Sequence, residues 1–396
     1  MKLTKIQQQM LDGEQGEAVR QSMEILVALG KIYGAESMVP VTSAQIAGVS
    51  YKTIGEAGLE YLSDLVKNGA KVRIPTFLNP AGMDRAQWQK MKVPESFAKK
   101  QILVLDAFAA MGITMSCTCT PYYIGIRPKV GEHVAWAESS AVSFCNSVLG
   151  ARTNREGGPS ALAAAICGFT PNYGYHLDEK RKCGLLVEVK TPLKTNADFG
   201  ALGAWAGPLA KNKNPAFIGI SKSVSGQLED KLKALGAGMA ASGSVALYNA
   251  QGITPEWNVS ADAERVEFTA ADLAATRKSL NSSDSPPQLI AIGCPHASLT
   301  EIEEVAAKVK GKKLAHMLWV CTAIETKHKA DAAGFTSIIE KAGGLVVADT
   351  CMVVCPLKEM GFSCTATNSG KGGKYLSTMQ QQKVVFGDVD DIIVIK

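Results

Sequence analysis

The chain has 396 residues, of which 46% are hydrophobic, 20% charged and 6% aromatic, a balance that excludes a disordered protein and a long coiled coil. The net charge of +5 is small for this length, and Lys and Arg form no long run, so a nucleic-acid surface is not expected. No apolar signal-peptide core follows Met1, and no apolar stretch approaches the roughly 18 residues of a membrane span, which predicts a cytoplasmic protein.

Hydrophobic spacing predicts two helices between Thr4 and Tyr33, interrupted at Gly13. Short β-like runs then alternate with longer helical segments, which is typical of an α/β fold with parallel strands. The expected elements of this first region are the strands SMVPV, from Ser37, and KVRIP, from Lys71, and helices over 55–68 and 94–110.

The same alternation continues through the rest of the chain. In the middle we expect the strands LLVEV, AFIGI and SVALY and helices over 196–209 and 225–241. Pro286 and Pro287 mark a linker, after which the strands QLIAIG, KLAHMLWV, GLVVAD and DIIVIK and helices from Ser298 and Ile324 are expected. The sequence therefore predicts three α/β regions, over residues 1–205, 206–285 and 286–396.

Three of the ten cysteines stand in proline-bearing motifs that follow apolar runs: Cys119 in SCTCTPYY, Cys294 in GCPH and Cys351 in DTCMVVCP. Cys294 and Cys351 come directly after predicted strands, where open α/β sheets form ligand sites, so they fit one shared crevice. In a reducing compartment, such residues are thiols or metal ligands. Zinc and an iron–sulfur cluster are both compatible with them, although the close pairs C-x-C and C-x-x-x-C differ from the usual zinc spacing. Cys117 and Cys355 are alternative ligands.

Two segments carry basic residues beside glycines. GARTNREGGPSALAAAICG places Arg152 and Arg155 before a helix that starts near Pro159, so guanidinium groups and free helix N–H groups would face an anion. SGKGGKY lacks the spacing of a nucleotide phosphate loop, but Lys371 would meet a phosphate or carboxylate as a point charge. Surface salt bridges and a flexible turn are the respective alternatives without a binding role.

Further candidates lie in two polar turns at predicted strand ends and in one segment before the arginines. The turns would offer backbone N–H groups and polar side chains to a ligand, or they are ordinary loops. His133 and His296 are acid/base candidates by residue type alone. The candidate positions are Gly48, Val49 and Ser50 in TSAQIAGVSY, Asn79 and Pro80 in FLNPAGMD, and Glu138 and Ser139 in HVAWAESSAV.

Six segments together resemble the aconitase X family along nearly the whole chain. They are AGVSYKTIGEAGLEYL, the NP-GMD turn, CTPYYIG, AWAESSAVSFCNSVLGARTNREGGPSA, GCPH and DTCMVV. The resemblance implies an aconitase-like α/β fold of three domains with mainly parallel sheets around a central crevice, without the swivelling fourth domain. It also implies an iron–sulfur cluster of the 4Fe–4S type, held by Cys119, Cys294 and Cys351, with one iron not bound by cysteine.

The resemblance further implies a hydro-lyase that removes water from a β-hydroxy acid. Removing a proton next to a carboxylate builds up negative charge, which iron, Arg and Lys would stabilise. The catalytic serine of the superfamily stands on the swivelling domain, which is expected on a small partner subunit, so the enzyme would be a heterodimer. No catalytic base is therefore assigned to this chain.

Two substrates compete within the family, cis-3-hydroxy-L-proline and the (R)-5-phosphomevalonate of an archaeal-type mevalonate pathway for isoprenoids. The hydroxyproline members carry a H-I-D-G-C-L-Y-like segment where this chain has QIAGVSY, with Gln45 and Ser50 in place of His and Cys. This difference favours dehydration of phosphomevalonate to trans-anhydromevalonate 5-phosphate. The residues expected to bind this anionic substrate are Gly48, Val49, Ser50, Asn79, Pro80, Glu138, Ser139, Arg152, Arg155 and Lys371. An iron-dependent RNA-binding regulator and a zinc hydrolase are the alternatives from other classes.

Overall fold

A computed structural model describes residues 1–221 and 228–396. The helices are α1 Lys5–Leu11, α2 Glu17–Ile32, α3 Tyr51–Lys67, α4 Glu95–Ala110, α5 Ser139–Ser147, α6 Gly158–Cys167, α7 Asn196–Ala210, α8 Leu228–Gly243, α9 Ala270–Leu280, α10 Leu299–Val309, α11 Ile324–Ala332, α12 Phe335–Ala342, α13 Gly370–Thr378 and α14 Val389–Ile392. The strands are β1 Met38–Pro40, β2 Ala44–Ile46, β3 Thr76–Leu78, β4 Ala135–Trp136, β5 Phe169–Pro171, β6 Cys183–Val189, β7 Asn214–Ile218, β8 Asn249–Ala250, β9 Val259–Phe268, β10 Leu289–Ile292, β11 Met317–Thr322, β12 Leu345–Ala348, β13 Cys364–Thr367 and β14 Lys383–Phe386.

The first unit extends from α1 to β5 and confirms the two predicted N-terminal helices. Its parallel sheet has the strand order β3-β2-β4, and β1 pairs separately with β5 in the antiparallel sense. The predicted strand KVRIP is wrong, because the strand is the segment that follows it, β3. The amides of Val72 and Arg73 donate instead to Met111 O at the end of α4 and to Ala165 O in α6.

The middle unit, from β6 to α9, has a parallel sheet of order β8-β7-β6-β9. The predicted strands LLVEV and AFIGI are confirmed. The predicted strand SVALY is wrong: this segment is irregular, because the Tyr248 amide donates to Ser147 Oγ at 2.9 Å, and the two-residue strand β8 follows it. Strand β9 was not predicted, because most of its side chains are exposed or half-buried and show no apolar alternation. The start of the helix predicted over 225–241 lies outside the described residues, and α8 covers the rest.

The third unit, from β10 to α14, has a five-stranded parallel sheet of order β12-β11-β10-β13-β14. The predicted C-terminal strand DIIVIK is wrong: Asp388 and Asp391 form the capping box of α14, which takes up the start of this segment. Strands β13, with the sequence CTAT, and β14, with the sequence KVVF, were missed because four-residue segments are weak signals. With these corrections, the predicted α/β class with mainly parallel sheets is confirmed.

The units share buried contacts. One core of the third unit also contains Met83, Met91 and Val93 from the segment between β3 and α4. No helix within 1–221 and 228–396 has the length and apolar character to span a lipid bilayer.

Arg181, which precedes β6, joins the middle unit to the first and gives a stability prediction. Its side chain is 2% exposed, its Nε lies 3.0 Å from both carboxylate oxygens of Glu256, and its Nη2 donates to Asn146 O at 2.9 Å. Replacing Arg181 with Met would leave the Glu256 carboxylate without its cation and remove the hydrogen bond to Asn146 O. We therefore expect a loss of about 3–5 kcal/mol in the free energy of unfolding.

The matched control is Arg127→Met, because the side chains of Arg127 and its partner Glu229 are each 41% exposed. This control should cost less than about 1 kcal/mol. Urea unfolding of both variants measures the difference, and equal losses would contradict a special role for the buried arginine.

Candidate active site

A cavity of about 240 Å³ lies between the carboxyl ends of the first unit's parallel sheet and those of the third unit's sheet. In parallel α/β sheets this edge is where ligands bind. One wall follows β2, β3 and β4, and consists of Ala47, Asn79, Pro80, Ala137, Glu138 and Ser139. The other wall follows β10, β12 and β13, and consists of Cys294, Pro295, Cys351, Val353, Val354, Lys371, Tyr375 and Met379, with Cys119 completing the lining.

All three predicted cysteines are brought together in this lining, and all three are buried. A hydrogen bond with Cys294, together with burial, raises the pKa of the Cys351 thiol well above its usual range. Burial likewise raises the pKa of the Cys119 thiol, whose sulfur accepts a hydrogen bond from the His296 amide at 3.2 Å. Without a cation, Cys119 and Cys351 are neutral thiols, and a bound metal would displace their protons.

The three cysteines can be compared with the ligands that an iron–sulfur cluster requires. Among residues 1–221 and 228–396, no group of three or more His, Cys, Asp or Glu side chains is arranged to hold a metal ion. The three thiols instead stand around a shared cavity. Cysteine sulfur is the usual ligand of iron–sulfur clusters, and a cluster with several irons does not require its ligands to meet at one point. The residues present therefore fit such a cluster in their chemistry.

A buried ion pair supplies the charge of the site. Lys371, in the first turn of α13, pairs through Nζ with Glu138 Oε1, and the two side chains are 8% and 6% exposed. Burial alone would lower the pKa of Lys371, but the Glu138 carboxylate outweighs it and raises that pKa. In turn, Lys371 overcomes the effect of burial and lowers the pKa of Glu138. Both groups are thus charged, and both line the cavity.

Local sequence fixes this pair, because each member stands at a helix start. Glu138 is the N-cap of α5 and accepts from the Ala141 amide at 2.6 Å, while Ser140 donates to the same carboxylate oxygen at 2.6 Å. Ser369 caps α13 by accepting from the Gly372 amide at 2.8 Å, and its hydroxyl also donates to Cys294 O. The cap of α13 therefore ties Lys371 to the Cys294 loop.

The segment SGKGGKY is neither a flexible turn nor a phosphate loop, since it begins α13. Position 370 requires a glycine for a steric reason. A Cβ at this position would overlap the carbonyl of Gly200 in α7, so the two backbones meet without a side chain between them. Lys371, Tyr375 and Met379 follow at intervals of four along α13 and face the cavity together. That spacing was the available signal for Tyr375 and Met379, which sequence reasoning missed.

The two predicted turns lie at the ends of β2 and β3, but they contribute differently. Asn79 and Pro80 line the cavity, and Asn79 Oδ1 is buried without a hydrogen-bond partner in the described part of the chain. An unsatisfied buried acceptor in a cavity wall is a candidate ligand contact. Ser50 stands behind the opposite wall, where its hydroxyl donates to Val354 O at 2.8 Å and caps α3.

Gly48 and Val49 are also outside the lining. Gly48, with φ of 78°, borders a separate cavity of about 170 Å³ beside Ile54, and Val49 O accepts from Gln101 Nε2 at 2.8 Å. These two residues support the turn that leads to Ser50.

Arg152 and Arg155 do not line the cavity. Arg152 donates to His176 O at 3.1 Å and pairs with Asp178, while the exposed Arg155 donates to Ser244 O at 3.0 Å. The predicted helix start at Pro159 is confirmed, but it lies outside this lining. The arginine segment instead pairs with the approach to β4, since the Val134 amide donates to Arg152 O at 3.0 Å.

The two histidines that the sequence offered as acid/base candidates also lie outside the cavity lining. His133 is half-buried and shares a 2.9 Å contact between Nδ1 atoms with His176, away from the cavity lining. His296 is fully buried behind the cysteines.

Comparison with known proteins agrees with this geometry. Models of the first, second and third domains of aconitase X match residues 1–179, 184–278 and 287–396. The phosphomevalonate dehydratase large subunit of Methanocaldococcus jannaschii is 50% identical over 99% of both chains, and that of Methanosarcina mazei is 46% identical over 99% of this chain and 96% of the relative.

A more distant relative, the cis-3-hydroxy-L-proline dehydratase of Pseudomonas aeruginosa, is 32% identical over 97% of this chain and 68% of the relative. The crystal structure of Thermococcus kodakaraensis aconitase X in its holo-form superposes with a TM-score of 0.92, at 47% identity and 99% coverage of both chains.

Proposed function

The chain belongs to the aconitase X family, and from this premise we propose that it is the large subunit of a phosphomevalonate dehydratase. The enzyme is a hydro-lyase that converts (R)-5-phosphomevalonate to trans-anhydromevalonate 5-phosphate. The observation that carries the proposal is one cavity lined by three cysteines and the buried ammonium of Lys371. The greater identity to relatives named for phosphomevalonate than to one named for hydroxyproline supports this substrate.

The dehydration involves three bond changes in the substrate. A proton leaves C2, the hydroxyl leaves C3, and a C=C bond forms while water departs. An iron–sulfur cluster held by Cys119, Cys294 and Cys351 would supply a Lewis acid for the departing hydroxyl. Its 4Fe–4S form, with one iron free of cysteine, is part of this proposal.

The protein's own groups would orient the substrate and stabilise charge. The Lys371 ammonium, which lines the cavity, would bind an anionic group and stabilise the negative charge that develops as the C2 proton leaves. Ser139 lies 3.2 Å from Lys371 Nζ, and Asn79 Oδ1 offers a free acceptor for a substrate hydroxyl. Pro80 would shape the wall beside these contacts, and Gly48, Val49 and Ser50 would support it from outside the lining.

The part that we assign to Arg152 and Arg155 is indirect. Their segment is hydrogen-bonded beside β4, the strand that leads to Glu138. They would support the anionic groups of the substrate by holding this wall in place.

A partner chain completes the proposal. The name "large subunit" of the relatives supports a small partner, and we assign the swivelling domain and a catalytic serine to this partner because the family resemblance implies them. Within the described lining, the serine available is Ser139, whose hydroxyl already faces Glu138 and Lys371. Proton removal is therefore assigned to the partner, and the active form is a heterodimer in the cytoplasm.

The test is an anaerobic assay of the chain purified with its candidate small subunit. We expect water loss from phosphomevalonate with a kcat/KM at least about 100-fold above that for cis-3-hydroxy-L-proline, because polar groups that bind one substrate are left unpaired by the other. Nuclear magnetic resonance of the product reports the new double bond, and the chain without its partner is the control.

Preferred turnover of hydroxyproline would contradict the substrate. Tight binding of RNA by the cluster-free chain, with no dehydratase activity in the complex, would instead support the regulator. Zinc without iron or sulfide in the purified protein would favour the hydrolase.

A further inference from the structure

His296 lies two residues after Cys294, and its amide and ring nitrogens contact two other segments of the chain. Its amide donates to Cys119 Sγ at 3.2 Å, and its Nδ1 lies 2.9 Å from Thr118 Oγ1. Its Nε2 lies 2.7 Å from Thr350 O, the residue before Cys351. One side chain from the Cys294 loop thus contacts both of the other cysteine loops.

The contacts define the protonation of the ring. The Thr350 carbonyl accepts and cannot donate, so Nε2 carries the proton, and Nδ1 is then the acceptor for the Thr118 hydroxyl. Both nitrogens of His296 are therefore occupied, and the residue is fully buried. A ring held in this way has no free nitrogen for acid/base work in the cavity.

The fourth polar group, the carbonyl of His296, accepts from Lys233 Nζ at 3.2 Å. Lys233 is 1% exposed, stands on α8 of the middle unit, and pairs with Glu301 on α10. His296 consequently joins the first unit, the third unit and the middle unit at one buried point.

We propose that His296 is the positioning residue that sets the relative placement of the Cys119, Cys294 and Cys351 loops. This inference rests on the proposed cluster for its purpose, but its geometric part concerns the thiols themselves. Buried groups that orient ligands from behind contribute about 10- to 100-fold to metal affinity. Loss of the ring would remove the contacts to Thr118 and Thr350 that join the Cys119 and Cys351 loops to the Cys294 loop, while the amide contact to Cys119 and all three ligands remain.

The test compares full chains carrying His296→Ala, His296→Gln, Thr118→Val and, as an exposed control, His328→Ala. Two readouts are used: iron and sulfide content after anaerobic reconstitution, and the iodoacetamide alkylation rate of each cysteine in the cluster-free chain, followed by mass spectrometry. Cys183, buried in the middle unit, reports unfolding of the whole protein.

We expect His296→Ala to reduce iron and sulfide retention by about 10- to 100-fold and to speed alkylation of Cys119 and Cys351 at least about tenfold, with Cys183 unchanged. Thr118→Val, which removes one of the ring's hydrogen bonds, should give a smaller effect in the same direction. His296→Gln, whose amide can still donate to Thr350 O, should recover part of the protection. His328→Ala should match the unaltered chain.

Unchanged alkylation of Cys119 and Cys351 in His296→Ala would overturn the proposal. So would an equal acceleration at Cys183, because the residue would then act on the stability of the whole fold. An unaltered chain that takes up no iron or sulfide would count against the cluster alone, since the alkylation pattern still tests the positioning role.

Discussion

Replacing Cys351 with Ser is expected to lower the kcat/KM for dehydration by about 10³-fold or more. A serine hydroxyl is a poor substitute for a thiolate ligand of iron, so the group that would polarise the departing hydroxyl is lost with the ligand. Cys351 is buried in the cavity wall, and the exchange of sulfur for oxygen changes the side-chain volume little. The effect should therefore fall on iron content and rate, with little change in folding.

Cys355→Ser is the matched control, because Cys355 is also buried in the same loop but lies outside the cavity lining, with its sulfur 3.7 Å from Met360 Sδ. Iron and sulfide analysis and steady-state kinetics of both variants make the comparison. Equal losses in the two variants would remove the distinction between ligand and neighbour, and full activity of Cys351→Ser would exclude Cys351 as a ligand.

Replacing Lys371 with Met is expected to impair both activity and stability. The rate should fall by about 10²–10³-fold, because the developing negative charge loses its cation. The free energy of unfolding should fall by about 3–5 kcal/mol, because Glu138 remains buried as an uncompensated charge. This stability loss should shrink as the pH falls, beginning above the usual range of a glutamate, because burial without Lys371 raises the pKa of Glu138 and protonation then removes the charge that burial penalises.

The double variant Lys371→Met with Glu138→Gln separates the two effects. The glutamine can still cap α5 through its amide oxygen, so stability should recover while activity stays low. Urea unfolding and kinetics on the two variants provide the measurement. Recovery of activity in the double variant would show that Lys371 serves the fold and not the reaction.

Much of the site was predictable because it depends on where strands end. Cys294 and Cys351 follow β10 and β12, and Asn79 follows β3, so local apolar runs were sufficient to find them. Arg152 and Arg155 show the limit of this reasoning. Basic residues beside a helix start satisfy the pattern, but the direction of that helix relative to the cavity is a property of the whole fold.

The interior contacts were not predictable for a related physical reason. Nothing local to GCPH indicates that His296 contacts residues far along the chain in both directions, Thr118 and Thr350. The errors at KVRIP and SVALY have the same origin, since their amides found partners outside a strand ladder. Both segments have the composition of strands, but hydrogen bonds to distant parts of the fold prevented strand pairing.

The glycine contact between α7 and α13 gives the middle unit a part in the chemistry, although it contributes no residue to the described lining of the cavity. Gly200 and Gly370 touch through their backbones, so no flexible side chain lies between them to absorb a displacement. A displacement of α7 would therefore be passed to α13 at the residue that precedes Lys371.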